Sequence, residues 1–169
     1  GGSGWNQQRS SAGTGMTVDN WTYGPEWNPG SVMQVVDEGT GTYRVHEGTG
    51  PIRRFIDNGN GTFSATAFYP ETLAANGGAQ ELLLTDNRGS QWAFHDATTS
   101  LFGKLKSFKD PAQNTTSLTY GTSGVSTGKL VQAVTTSTSG SDTITETWTY
   151  DYWLTGGSAG RLEKVTLKW

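Results

Sequence analysis

The chain has 169 residues, of which 24 are glycine, 26 threonine and 15 serine, and none is cysteine. The missing cysteine excludes a disulfide scaffold and a thiolate metal site, and a charged fraction of 16% with a net charge of −3 argues against electrostatic capture of nucleic acid by a clustered basic surface. No run of about 18 apolar residues occurs, so a membrane-spanning helix is excluded, while aromatics at 11% supply burial material that disordered chains lack.

Read from the N-terminus, Gly1-Gly2-Ser3-Gly4 looks like a cloning remnant or an arbitrary cut in a longer chain, and residues 1–30, with Trp5, Trp21, Tyr23 and Trp27 among Gly, Pro and Asn, read as irregular or loosely stranded. From residue 31 onward, turn residues break the chain into pieces of about five to ten residues, the spacing of an all-β protein. Ser31–Asp37 and Thr42–His46 open this series. Ile52–Asp57 and Thr62–Phe68 flank Asn58-Gly59-Asn60-Gly61, and Glu81–Thr85 and Ser90–His95 flank Asp86-Asn87-Arg88-Gly89. Both are hairpin signals, because Asn and Gly accept positive φ. Pro70–Asn76, between the two hairpins, is the one stretch with a helical reading, of about two turns at most. Lys104–Lys109, Ser117–Tyr120, Lys129–Thr135, Thr143–Tyr150 and Arg161–Lys168 complete about eleven strands. In Thr143–Tyr150 the threonines 143, 145, 147 and 149 share one face, and Ile144, Trp148 and Tyr150 share the other, interrupted by Glu146. The expected fold is all-β: an antiparallel twisted sheet of hairpins, spiral, shell-like or an open sandwich.

A degenerate repeat runs through the second half. An aromatic-bearing strand leads into a Gly-rich turn, and Gly-(Lys/Arg)-Leu opens the next strand. Its copies are Trp92, Phe94, Gly103 and Leu105; Leu118, Tyr120, Gly128 and Leu130; and Trp148, Tyr150, Asp151, Gly160, Arg161 and Leu162. They occupy about residues 90–110, 115–136 and 142–169. A single hairpin cannot bury its aromatic face, so such units add edge to edge.

The Tyr150-Asp151…Gly160-Arg161-Leu162 unit resembles a tyrosine–aspartate (YD) repeat of the RHS family. Arg53–Asp57, Gly59–Phe63, Leu82–Asp86 and Gly89–Phe94 resemble the stretch that precedes such repeats. Asp110-Pro111-Ala112-Gln113-Asn114 resembles their Asp-Pro-Ala-Gly-Asn turn, with Gln113 where that turn has Gly. The resemblance covers residues 31–169. It implies a structural β-sheet module of a large exported or cell-surface bacterial protein, part of a shell around a polymorphic toxin domain or of an adhesive stalk. It implies no enzymatic activity and no cofactor. The partners expected are the rest of a parent chain or another copy, joined through sheet edges, with no membrane insertion.

The inventory for chemistry is thin. His95-Asp96 lacks a nucleophile elbow, and Asp57–Thr62 lacks the twelfth-position Glu of a calcium loop, where Phe68 stands. Glu146 is a single acid on an apolar face, whereas glycoside hydrolysis needs two carboxylates in one cleft. The tryptophans open a second reading, a carbohydrate-binding β-sandwich in which Trp153, Tyr152 and Trp27 stack on glycans.

Overall fold

The computed structural model describes residues 33–47 and 51–169, so the irregular segment expected over residues 1–30, with Trp27, lies outside the described residues. The described residues are all-β. β1 (Met33–Gly39), β2 (Thr42–Glu47), β3 (Arg53–Asp57) and β4 (Phe63–Ala65) form a four-stranded antiparallel sheet in sequential order. β5 (Thr72–Asn76), β6 (Glu81–Thr85), β7 (Gln91–His95), β8 (Leu105–Lys109), β9 (Thr115–Tyr120), β10 (Leu130–Ser139), β11 (Asp142–Tyr152) and β12 (Leu162–Lys168) form an eight-stranded antiparallel meander, also in sequential order. Neither sheet closes into a barrel.

Each of the eleven expected strands has a counterpart among the described residues, the first from Met33 onward because residues 31 and 32 lie outside them, and a twelfth replaces the expected helical turn over Pro70–Asn76. There Thr72–Asn76 pairs with Glu81–Thr85, Leu73 opposite Leu84 and Ala75 opposite Leu82. The helical reading weighed local propensity alone. The competing term is burial: Leu73 is only 3% exposed against the β6 leucines, and a cross-strand pair outweighs a weak helix preference.

The aspartates that end several strands are turn residues. Asp37 Oδ1 accepts from the Gly39 amide at 2.7 Å, Asp57 Oδ1 from Gly59 at 2.8 Å and Asp86 Oδ1 from Arg88 at 2.8 Å, each an Asx turn. In the Asp110–Asn114 turn, Asp110 Oδ1 accepts from the Asn114 amide at 2.9 Å, and Gln113 takes φ of 71°, a left-handed conformation that favours glycine.

Alternation divides the larger sheet into two faces. Leu73, Leu84, Trp92 and Phe108 are successive cross-strand neighbours, as are Leu118, Ala133, Trp148 and Leu167, all on the apolar face. Thr119, Gln132, Thr149 and Thr166 form a row on the polar face. The smaller sheet contributes Met33, Val35, Val45 and Phe55 to the same core as Leu84, Phe94 and Leu130. Phe94, Leu84 and Leu130 are fully buried, each worth about 1.5–3 kcal/mol in the hydrophobic term. Several contacts tie the sheets: Val35 N donates to Gly103 O at 3.0 Å, Ala75 N to Gly61 O at 2.8 Å, and the Tyr43 and Phe102 rings meet edge-on at 6.2 Å.

Candidate functional site

The repeat produces one recurring structure, at the end of the larger sheet where β8, β10 and β12 begin and β7, β9 and β11 finish. Three turns close alike. The His95 amide donates to Lys104 O and the Gly103 amide to His95 O; Gly121 and Lys129, with Gly128, do the same, as do Trp153 and Arg161, with Gly160. Gly103, Gly128 and Gly160 all have positive φ, 76°, 70° and 78°, which explains the glycine in each unit. Each turn delivers an aromatic–leucine pair, Phe94 opposite Leu105, Tyr120 opposite Leu130 and Tyr152 opposite Leu162, and each pair sits at a register shift.

This corrects the repeat register. Tyr152, not Tyr150, occupies the place of Tyr120; Tyr150 corresponds to Leu118, two residues back on the same face, and is buried. The literal Tyr150-Asp151 pair lies one pleat too early, and Asp151 is exposed. A signal for the correct register was present. Tyr120–Leu130 and Tyr152–Leu162 align without a gap, sharing Tyr, Gly124/Gly156, Ser126/Ser158, Gly128/Gly160, Lys129/Arg161 and Leu.

Side chains then link successive units into a ladder. Lys104 Nζ donates to Gly128 O at 2.7 Å and lies 5.3 Å from the centroid of the Tyr120 ring it crosses. Lys129 Nζ donates to Gly160 O at 2.8 Å and lies 5.4 Å from the Tyr152 centroid. The tyrosines reach the opposite way: Tyr120 Oη donates to Leu105 O, and Tyr152 Oη to Leu130 O, both at 2.7 Å. One unit thus gives a lysine forward and receives a hydroxyl back. Both are hydrogen bonds, and the lysine adds a cation–π contact. Burial pushes the Tyr152 phenol up to about 12, so it remains a donor across the physiological range.

The other residues singled out in the sequence divide by environment. Trp92 is half-buried with its ring 5.2 Å from Phe108, and Trp148 is half-buried beside Ala133. Trp153 is 47% exposed. Tyr152, expected beside it as a glycan contact, is buried with its hydroxyl committed to Leu130. An open groove of about 710 Å³ has walls that include Ser123, Ser126, Asp151, Leu154 and Lys164, and Trp153 is not among its lining residues. Glu146 stands opposite Thr135, away from that groove's lining. His95 packs edge-on to Tyr120 at 6.0 Å, and burial, with Lys106 nearby, holds its imidazole below the usual range. The Arg53-Arg54 pair is taken up in ion pairs, Arg53 with Glu71 at 2.8 Å and Arg54 with Glu38 at 2.8 Å. Among the described residues no three His, Asp or Glu side chains gather into a metal-binding group, and no helix is long and apolar enough to cross a membrane.

Comparison with protein-family models, with curated proteins and with solved structures returned no match.

Proposed function

We propose that the chain is a non-enzymatic structural β-sheet module of a large exported or cell-surface bacterial protein of the RHS/YD-repeat type, contributing to a shell or a stalk. The observation that carries this reading is the Lys–Tyr ladder. Two consecutive rungs, Lys104–Tyr120–Gly128 and Lys129–Tyr152–Gly160, have the same donors, acceptors and ring contacts. Chemistry on a substrate demands unlike groups converging on one point, whereas identical contacts repeated unit by unit serve propagation of a sheet. The test is the genomic reading frame around this segment. Further in-frame Tyr…Gly-(Lys/Arg)-Leu units and a variable C-terminal domain support the module; flanking domains of enzymatic type and no further units overturn it.

A second reading, glycan binding, rests on the exposed Trp153, whose sequence neighbour Leu154 lines an open groove. A glycan array followed by tryptophan-fluorescence titration decides it. Saturable quenching that Trp153→Ala abolishes favours the glycan reading, and an empty array leaves the structural one.

A further inference from the structure

The eight-stranded sheet ends differently on its two sides. At β5 the edge is covered, because Thr62 bridges to Ala74 and Ala75 N donates to Gly61 O at 2.8 Å. At β12 the sheet order ends, and among the described residues no strand pairs with its outer side. β12 carries Glu163 at its bulged start, and Lys164 and Lys168 alternate onto the polar face, while the other face presents Leu162, Val165 and Leu167 along the rest of the strand. A strand left like this has backbone donors and acceptors ready for another strand.

The ladder says which strand. Lys104 and Lys129 each cross the aromatic residue ending the next strand and reach the glycine carbonyl opening the strand after it. The carbonyls of Leu105 and Leu130 each receive that aromatic's hydroxyl. Arg161 and Leu162 stand at the corresponding positions of the third unit, and Arg161 is exposed. Building on the sheet-module reading, we propose that the β12 edge is a docking site for a β-hairpin whose first strand ends in tyrosine and whose second opens with glycine. The incoming tyrosine donates to the Leu162 carbonyl, and Arg161 lies over its ring and donates to the incoming glycine carbonyl. Arginine suits this place as lysine suits the other two, since its planar guanidinium stacks on an aromatic face. A second copy of the chain does not supply such a hairpin, because its own β9–β10 and β11–β12 hairpins are already within its sheet.

The chain itself supplies the probe. Leu162 lies 32 residues after Leu130, so Trp169 occupies the place of Ser137, and repeating residues 138–169 directly after Trp169 presents a hairpin in register. Hydrogen exchange of β12 in the extended and unextended chains is the measurement. Extension is expected to slow the outward-facing β12 amides about tenfold or more, the size of one hydrogen bond to a charged group. That gain should be lost in Arg161→Gln and kept in Arg161→Lys. Protection that persists in Arg161→Gln overturns the proposed recognition and leaves the sheet-module reading standing. Absence of protection in every extended chain overturns both. Concentration-dependent protection of the same amides in the unextended chain means the edge belongs to a second copy, which also overturns the proposal.

Discussion

Tyr152 donates its hydroxyl to the main-chain carbonyl of Leu130 at 2.7 Å, across from β11 to the start of β10. Leu130 is itself fully buried, so the hydroxyl serves an acceptor with little access to water. Tyr152→Phe keeps the ring and removes only this bond. The expected loss is about 1–2 kcal/mol, seen as a lower urea midpoint with unchanged slope. Tyr120→Phe, which breaks the equivalent bond to Leu105, should cost a similar amount. Equal midpoints for wild type and both variants would remove the tyrosines from the ladder.

Lys129 tests the forward contact. Its ammonium donates to Gly160 O at 2.8 Å over the Tyr152 ring. Lys129→Met retains most of the stem's packing and loses both interactions. The net cost should be about 1 kcal/mol, because a charge-assisted bond is partly offset by the rotamer entropy the lysine surrenders. The loss should be local: exchange should quicken in the 153–160 turn, with the β5–β7 amides unaffected. An even change across the sheet contradicts a unit-to-unit contact.

The same burial gives a pH dependence. The Tyr152 phenol is raised to about 12 in the folded protein against an ordinary value of 10.0. A raised folded value means that the fold favours the protonated phenol. Its contribution is therefore complete below about pH 10 and disappears as pH climbs from 10 towards 12. Tyr43 is displaced in the same direction, by burial first and then by Asp37 and Asp57. Alkaline unfolding followed by tyrosinate absorbance should therefore show late-titrating tyrosines, with one fewer in Tyr152→Phe. Titration of every tyrosine near pH 10 before unfolding contradicts the buried donor.

Much of the fold was legible because its signals are local. Asn58–Gly61 and Asp86–Gly89 announce hairpins through turn chemistry, and the alternation in Thr143–Tyr150 announces a two-faced strand. What was not legible depends on partners distant in sequence. Leu73 becomes a strand residue only through Leu84, and the smaller sheet's place is set by contacts such as Val35 to Gly103. The candidate site was half legible. The Gly-(Lys/Arg)-Leu openings were visible, yet the role of the lysines emerges only when the turns lie side by side. Tyr150-Asp151 offered a more familiar pair than Tyr152, although the spacing to Leu162 matches that of Tyr120 to Leu130. Short motifs identify the unit, and register comes from bulges that a pattern of identities does not reveal.

Gly103 and Gly128, equivalent in the repeat, should respond differently to alanine. Both have positive φ, so an alanine pays the left-handed penalty of about 1–2 kcal/mol at either place. Around Gly128 an added Cβ meets nothing within 4 Å, and that penalty is the whole cost. At Gly103 the Cβ would lie 1.9 Å from Val35 O, the backbone of β1, which cannot yield as a flexible side chain does. Gly103→Ala must push β1 away and break the Val35 amide bond to Gly103 O, so its cost should reach about 3 kcal/mol or more. Gly160 is intermediate, since its Cβ would meet the movable Lys129 ammonium at 2.7 Å. Urea unfolding should rank the variants Gly103→Ala, Gly160→Ala, Gly128→Ala from least to most stable. Exchange at the Val35 amide should rise only in the first. If Gly103→Ala proves no worse than Gly128→Ala, the smaller sheet does not rest on this turn.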